Sequence, residues 1–249
     1  MAMFSHKSRC IYQKNQLGEV ICQLRFPEIL SIETNVPDRF QEAIRDVFPR
    51  YLVRKEGPAN QQVNNYQFST PDGIWRVNLT SKFISLACSG YTRWEEFAKM
   101  LDKPLVAFIQ IYRPAYFERV GLRYLNFFSK SALDLADVPY SELFHPAYLG
   151  LMASGEIPET AFARATVDTE VSIQAGCKAK LHAGPGKITR NGKEDPEVKF
   201  IFDQDLFMAG NVPVQASAGA LETLHDQAYR IFRFAITDAL HDAMEPENV

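Results

Sequence analysis

Residues 116–128 read YFERVGLRYLNFF and carry the longest strand pattern in the chain. One side of the extended backbone holds the apolar side chains of Val120, Leu122, Tyr124 and Phe128. The other side holds Arg119, Gly121, Arg123 and Phe127. Because successive side chains of a strand point to opposite faces, the pattern predicts a strand whose apolar face packs beneath the last helix. Its arginine face is then expected to be uncovered.

The segments before this strand follow the order strand, helix, four strands, long helix. The strand patterns cover residues 19–26, 50–56, 65–70, 73–80 and 83–90, and the helical patterns cover residues 35–48 and 92–112. Pro104 is expected to kink or split the second of these helices. After residue 116 the order repeats, with an irregular helical stretch at 131–152, strands near 161–175, 178–189 and 198–207, and a helix over 218–244. The mixed polar pattern of residues 1–17 predicts a loose arm.

Strands that come in runs, rather than in alternation with helices, are typical of the α+β class. The repeated order predicts duplicated β-α-β4-α halves, residues 1–115 and 116–249, packed as one continuous globular unit. Each half is expected to be a curved antiparallel sheet covered by a long helix. This order resembles the TATA-box-binding-protein-like fold, and a Bet v 1-like helix-grip fold is the alternative.

The composition limits the classes of protein to which this chain can belong. The chain has 249 residues, of which 46% are hydrophobic and 23% are charged, and its formal net charge is −3. A protein dedicated to nucleic acid is usually basic, so this balance argues against that class unless a local patch overrides it. The four cysteines have no metal or disulfide spacing, which predicts reduced thiols. No apolar run reaches the length of a signal-peptide core or a membrane span, which predicts a cytoplasmic protein without membrane association.

Four segments carry a likeness to a known family. They are the strand at 19–26, the helix that ends in Phe48-Pro49, YTRWEEF at 91–97 and RVGLRYLNFF at 119–128. Together with Leu224, His225 and Phe232 they span most of the chain. On these motifs the protein resembles a family of conserved hypothetical proteins that is sporadically distributed among bacteria. The resemblance implies no established activity, cofactor or catalytic residue.

Arg119 and Arg123 are the first candidate binding residues. Side chains four residues apart on a strand leave the same face roughly 13 Å apart, and Gly121 leaves the backbone between them open. Two guanidinium groups beside an open backbone can hold a phosphate or a carboxylate. The structural alternative is a pair of salt bridges to carboxylates on neighbouring strands, namely Asp168, Glu170 or Asp203.

The wider face of the second half is the larger candidate surface. By alternation it carries Arg119, Arg123, Arg164, Asp168, Glu170, Lys178, Lys180, His182, Lys199, Asp203 and Asp205. Charges of both signs are typical of a solvated face, of a polar protein interface or of a lined ligand groove. A face that binds DNA alone is expected to carry mostly lysine and arginine.

A further candidate site lies at the start of the long helix, where Arg93 and Trp94 follow Thr92. A basic side chain at a helix N-terminus can hold an anion. In the structural alternative, Trp94 anchors the helix on the sheet and Thr92 caps it.

No pattern marks a catalytic or metal-binding site. His225 lies on the apolar stripe of the last helix and is typical of a core histidine. The chain lacks the HExxH pattern of zinc hydrolases and the GxSxG pattern of α/β-hydrolases. The stretch GPGK at 184–187 lacks the spacing of a phosphate-binding loop and predicts a turn. Asp203 and Asp205 are more typical of strand ends than of a metal site, and no cofactor is predicted.

The sequence therefore favours a non-enzymatic binding or interaction protein that uses a polar, curved sheet face, while it leaves an enzymatic activity open. The expected partner is another protein, and a homodimer is compatible with the sequence. Two alternatives stay open, which are nucleic-acid binding through the sheet and binding of a small molecule or nucleotide between helix and sheet. The candidate ligand-binding residues are Arg119, Arg123, Arg164, Lys180, His182, Arg93 and Trp94.

Overall fold

The computed structural model describes residues 4, 7–58, 62–174, 176–190 and 192–248. Its architecture is α+β, as the sequence predicts, with a large antiparallel sheet and several helices. Within the described ranges, no helix is both long enough and apolar enough to cross a membrane.

The strands are β1 (Cys10–Tyr12), β2 (Leu17–Arg25), β3 (Arg50–Glu56), β4 (Val63–Ser69), β5 (Trp75–Leu79), β6 (Phe83–Cys88), β7 (Phe117–Phe128), β8 (Val167–Gln174), β9 (Cys177–Gly186), β10 (Thr189–Arg190), β11 (Lys193–Glu194), β12 (Lys199–Val212) and β13 (Pro246–Asn248). The helices are α1 (Leu30–Thr34), α2 (Asp38–Ile44), α3 (Trp94–Tyr112), α4 (Tyr140–Leu143), α5 (Ser217–Ala235) and α6 (Asp238–Ala243). Short 3-10 turns fill much of the connection between β7 and β8.

The chain divides into two compact units. Unit I comprises Glu19–Arg123 and Phe207–Leu224. Unit II comprises Met1–Gly18, Tyr124–Leu206 and His225–Val249. Strands β7 and β12 and helix α5 contribute residues to both units. Each unit is therefore built from stretches that are separated in the sequence.

In unit I the strands follow the order β3-β4-β5-β6-β2, and each pair is antiparallel. Helices α2 and α3 cover one face of these strands. The ring of Phe40 in α2 lies 5.5 Å from that of Phe68, and the ring of Phe108 in α3 lies 4.6 Å from that of Phe26. Since side chains alternate along each strand, the polar residues between these apolar ones point to the opposite face.

Helix α3 runs as one element through Pro104, so of the kink or split predicted at this residue, the split does not occur. A proline removes one backbone donor from the helical ladder and crowds the preceding turn. Here Pro104 itself is buried, as are Leu101, Leu105 and Phe108 on the same stripe. The apolar packing of this stripe holds both sides of the proline against the sheet and outweighs the lost hydrogen bond.

In unit II the strands β12, β9 and β8 are neighbours in that order, and the end of β7 lies beside β12. Strands β8 and β9 pair in antiparallel register, with Asp168 opposite His182. The apolar side of unit II is rich in aromatic rings, and Phe144 stacks on Phe200 at 3.8 Å. Residues of β10 and β11 form a separate two-stranded hairpin.

Strand β7 confirms the alternation that the sequence predicts. Val120 and Leu122 are fully buried, and Tyr124 is 7% exposed. The hydroxyl of Tyr124 forms a 2.7 Å hydrogen bond with Nδ1 of His225 in α5. On the other face of β7, Arg123 is exposed and Arg119 is half-buried.

One predicted helix is shortened and another is interrupted. The helix predicted over residues 35–48 is present only as α2, and the separate short helix α1 precedes it. Asn35, between the two, has an extended backbone, and Val36, the residue before Pro37, is disfavoured in the helical region. The last predicted helix ends as α5 and restarts as α6, where Thr237 accepts a hydrogen bond from the backbone N–H of Leu240 at 3.4 Å. Such a side-chain cap is typical of a new helix start.

Two other predictions are wrong in part. The strand expected over residues 161–175 begins only at Val167, after a 3-10 turn, and residue 175 lies outside the described residues. The N-terminal segment is not a loose arm throughout, because β1 pairs with β13 and places Tyr12 opposite Pro246. A three-residue strand has too short a pattern to be seen in sequence.

Candidate functional site

The side chains of unit I that point away from α2 and α3 form a largely polar surface. We call it the polar face, and it is formed by Glu19, Gln23, Arg25, Gln67, Arg76, Asn78, Ser85, Arg119 and Arg123. Strand β5 shows why the sequence builds it, since Val77 and Leu79 are fully buried while Arg76 and Asn78 are only half-buried. The same alternation in the neighbouring strands brings the polar side chains to one surface.

A row of amide and hydroxyl groups crosses this face at right angles to the strands. The Nε2 group of Gln67 donates to Oδ1 of Asn78 at 3.2 Å, and Nδ2 of Asn78 donates to Oγ of Ser85 at 3.2 Å. The strand register extends the row to Gln23, which lies opposite Ser85. We call these four residues the amide row. Because Gln67, Asn78 and Ser85 bond one another and Gln23 accepts a bond from Arg25, the donors and acceptors of the row are held in fixed positions.

Among the residues that define the polar face, four are arginines and one is a glutamate. Arg76 forms an ion pair with Glu19, and both side chains are partly buried. Arg25 donates from Nε to Oε1 of Gln23 at 3.0 Å, which ties it to the amide row. The face is therefore locally basic in a chain whose formal net charge is −3.

Arg119 does not border an open backbone patch, so that part of the sequence-based interpretation is wrong. Its guanidinium lies 4.6 Å from the centre of the Phe207 ring, within the range of a cation–π contact. A Cβ atom added to Gly121 would collide with the same guanidinium group. The glycine is thus covered by the arginine two residues before it. Of the two predicted arginines, Arg123 is the exposed one.

Asn65 marks one border of this surface. It is 5% exposed, and its Nδ2 group donates to Oε1 of Glu56 at 2.6 Å. Its Oδ1 atom is buried and has no hydrogen-bond partner within the described part of the chain. Buried polar atoms are rarely left without a partner. This carbonyl oxygen can accept a hydrogen bond from a bound molecule.

Three of the predicted site residues lie in unit II, where the structure gives two of them local partners. His182 bonds through Nδ1 to Oδ1 of Asp168 at 2.7 Å, and Lys180 lies 3.8 Å from Glu170. Both pairs are directly opposite in the β8–β9 register. On this ladder, some of the mixed polar and charged residues seen in the sequence are therefore arranged as cross-strand pairs. Arg164 is exposed and lies before β8 begins, so it is not part of a strand as predicted.

The structure separates the roles of Arg93 and Trp94 at the start of α3. Arg93 is the exposed N-cap residue and makes no capping side-chain bond. Trp94 is 4% exposed, stacks on Phe97, and donates from Nε1 to Oε1 of Glu222 at 2.8 Å. Trp94 is thus an anchor of the helix. Thr92 does not cap the helix as predicted, because its hydroxyl bonds to Glu96.

Sequence reasoning missed a cluster in unit II that joins β1 to α5 and α6. The Tyr12 hydroxyl lies 2.8 Å from Nδ1 of His241 and accepts a 3.3 Å hydrogen bond from Arg233. Arg233 is only 5% exposed, and no carboxylate in the described part of the chain pairs with it. Burial raises the pKa of Tyr12, while burial and the charge of Arg233 lower the pKa of His241. The cluster fixes the N-terminal strand to the end of the chain.

Three of the four cysteines do not provide a reactive thiolate. All four are free, and Cys22, Cys88 and Cys177 are buried. Burial raises the pKa of the Cys88 thiol to about 11 and also raises those of Cys22 and Cys177. A protonated, buried thiol is a poor nucleophile. Among the described residues there is also no group of three or more histidine, cysteine, aspartate or glutamate side chains that could hold a metal ion.

Comparison with known proteins finds no family model that matches the chain and no matching curated protein. The resemblance to the sporadic bacterial family stays a prediction.

Proposed function

We propose that the protein is a non-enzymatic binding protein and that the polar face of unit I receives its partner. The amide row carries the proposal, because donors and acceptors that are already held in place lose little conformational entropy when a partner binds. The groups of the polar face are amides, a hydroxyl, guanidinium groups and one carboxylate, Glu19, which is paired with Arg76. Such groups bind and orient a partner, but they do not exchange protons readily near neutral pH.

The partner that this surface fits best is another protein with an acidic, polar contact region. The arginine excess of the polar face favours an acidic partner, since complementary charges steer association and select partners. Arg25 and Arg123 are exposed and so are accessible to it. Arginine is also enriched at protein interfaces, where its planar group forms paired bonds with carboxylates.

A pair of matched variants tests this proposal. Arg25→Glu reverses a charge on the polar face, and Lys178→Glu makes the same change on an exposed position of β9 in unit II. Proteins that co-purify with the wild type are quantified by mass spectrometry for all three forms. The proposal expects a partner that is lost with the Arg25 variant and retained with the Lys178 variant. A partner that is retained by both variants, or lost from both, contradicts the polar face as its site.

Nucleic acid is the second candidate partner, and the same arginine excess favours it. Arginine side chains contact phosphates, and each neutralised phosphate makes binding more sensitive to salt. Titration of the protein with labelled single-stranded and double-stranded DNA and RNA at low and high salt separates this candidate from the first. Binding that weakens with salt and with Arg25→Glu supports it, and no binding at low salt excludes it.

A small molecule between helix and sheet is the third candidate, and one buried side chain in unit II favours it. Gln204 lies on the apolar side of β12 and is 1% exposed. Its Oε1 atom has no hydrogen-bond partner within the described part of the chain. A buried amide oxygen without a partner can accept a bond from a bound ligand. Native mass spectrometry of the purified protein tests this, because a retained ligand adds a defined mass that Gln204→Leu removes.

We also propose that the fold is the predicted duplication of β-α-β4-α halves. In the first half the last strand of the hairpin run, β6, lies beside the first strand, β2. In the second half β12 holds the same place beside β7. Helices α3 and α5, which follow these runs, each have 19 residues. The second half departs from the pattern, because the short β10–β11 hairpin stands where the first half has a full strand.

A further inference from the structure

Strand β3 of unit I is an edge strand that is exposed along its whole length. It comes first in the strand order, and all seven of its residues, RYLVRKE, are exposed. Three neighbouring large apolar side chains are open to solvent, with Tyr51 at 44%, Leu52 at 45% and Val53 at 40%. In the described part of the chain, only β4 pairs with this strand. Its outer backbone groups are therefore available to a further strand.

Exposed edges are commonly protected by charged residues that repel an incoming strand. The charges of β3 are instead arranged so that the strand complements itself. If two copies pair antiparallel about Val53, Arg50 of each copy lies opposite Glu56 of the other. The same register places Tyr51 opposite Lys55, where an ammonium group can lie on an aromatic ring.

The two neighbouring registers, in which the centre of the pair moves by one residue, lack this complementarity. Pairing centred on Leu52 places Arg50 of each copy opposite Arg54 of the other. Pairing centred on Arg54 places the two Arg54 side chains opposite one another. Like charges directly opposite one another destabilise a strand pair. Only the register centred on Val53 joins all seven residues of both strands. The sequence of β3 thus selects one alignment.

We propose that a second copy of this chain is the partner of β3, and that the two strands pair antiparallel about Val53 to form a homodimer. The contact is isologous, as expected for a two-fold symmetric dimer, because the same seven residues meet in both directions. Strand addition supplies backbone hydrogen bonds, and the exposed apolar side chains supply buried area. The ring of Tyr51 is already positioned for this contact, since it lies 5.4 Å from the ring of Phe68 on β4.

Charge reversal in two complementary variants tests the proposal. Arg50→Glu places two glutamates opposite one another at each end of the pair, and Glu56→Arg places two arginines there. Analytical ultracentrifugation is expected to show a dimer for the wild type. The dimer dissociation constant of each variant is expected to be higher by a factor of about ten or more. An equimolar mixture of the two variants restores attraction at both ends. The mixture is therefore expected to form a heterodimer at least as stable as the wild-type dimer.

Two controls separate this contact from other causes. Lys99→Glu changes the net charge by the same amount as Arg50→Glu at an exposed position of α3, and it is expected to leave the dimer intact. Because Glu56 also accepts a bond from Asn65, thermal unfolding of each variant is measured, and Arg50→Glu alone carries the test if Glu56→Arg unfolds.

Hydrogen exchange locates the contact, since the β3 amides are expected to exchange more slowly as the protein concentration rises. The proposal is overturned if the wild type is still monomeric at about 100 μM, a concentration far above the dissociation constant of a stable dimer. It is also overturned by variants that dimerise like the wild type. Concentration-dependent protection that appears only outside β3 has the same consequence.

Discussion

The guanidinium of Arg119 lies 4.6 Å from the centre of the Phe207 ring and covers the backbone of Gly121. The absence of a side chain at residue 121 is what lets the arginine lie flat along its own strand. An arginine held in this way contributes its apolar stem and its ring contact to the packing of unit I. The glycine therefore makes room for the side chain of Arg119, and it does not leave the backbone open to an incoming ligand.

This relationship predicts that substitutions at the two positions are not additive. Arg119→Ala is expected to cost about 1 kcal/mol of unfolding free energy through loss of the contact with Phe207. Gly121→Ala is expected to cost a similar amount, because its methyl group displaces the guanidinium. The double variant should lose less than the sum, since both changes remove the same contact. Urea unfolding of the four proteins measures this, and strictly additive losses contradict it.

The amide row predicts coupling between Asn78 and Ser85. Asn78→Ala removes the donor that bonds the hydroxyl of Ser85, a residue that is only 4% exposed. We expect a loss of about 1–3 kcal/mol, because a buried polar group is left without this partner. Ser85→Ala in the Asn78→Ala background should cost less than Ser85→Ala alone. Equal costs in both backgrounds would show that the row does not act as a unit.

His241 predicts a pH dependence of stability in the terminal cluster of unit II. Burial, and then the charge of Arg233, lower the pKa of His241 in the folded state below its ordinary value, about 6.5. The nearby Asp238 and Asp242 act in the opposite sense, and Lys7 acts with Arg233. The unfolded chain therefore binds this proton more readily than the folded chain. Stability that is present above about pH 6.5 should be lost as the pH falls below that value and through the lower pKa of the folded state.

Urea unfolding between pH 8 and pH 5, on the wild type and on His241→Gln, measures this effect. The slope of stability against pH should be smaller in the variant, because the glutamine does not titrate. Tyr12→Phe is a useful companion, since it removes the hydroxyl that bonds both His241 and Arg233. It is expected to cost about 1–3 kcal/mol at pH 8. An unchanged slope in His241→Gln would assign the pH dependence to other groups.

Local pattern was enough to predict which side of a strand is buried. Val120 and Leu122 alternate with Arg119, Gly121 and Arg123, and the structure buries the two apolar side chains as expected. The position of α3 could also be predicted, because its apolar stripe continues through Pro104. The pattern could not show how strongly that stripe packs against the sheet, so the proline was expected to kink or split the helix.

The candidate site depended on information that lies outside any one segment. The amide row exists only in the register that brings Gln67, Asn78 and Ser85 side by side, and alternation alone does not fix register. Arg119 was expected to flank an open patch because its ring partner, Phe207, is distant in sequence. Tyr12 and His241 are 229 residues apart. No spacing rule connects such positions before the fold is known.

Trp94 and Arg93 are predicted to respond in opposite ways to substitution. Trp94→Ala should cost about 3–5 kcal/mol, because it removes a large buried ring together with its bond to Glu222. Arg93→Ala should change stability by no more than about 0.5 kcal/mol, as is usual for an exposed surface position. Chemical denaturation of both variants measures the difference. A mild effect of Trp94→Ala would show that the ring is not an anchor.

Gly184 lies in β9, although the stretch GPGK predicted a turn, and its environment predicts a large cost for any side chain. Its backbone φ is +154°, and an added Cβ would collide with the carbonyl oxygen of Ala165. Because the obstacle is backbone, a side-chain rotation cannot relieve it. Gly184→Ala should therefore cost more than about 2 kcal/mol.

Gly219 in α5 is the matched control for this substitution. It has open space around an added Cβ, and Gly219→Ala should stabilise the protein by up to about 1 kcal/mol because alanine favours the helix. Thermal unfolding of the two variants then gives shifts of opposite sign. Equal shifts would mean that the approach of Ala165 to Gly184 is not what requires glycine at that position.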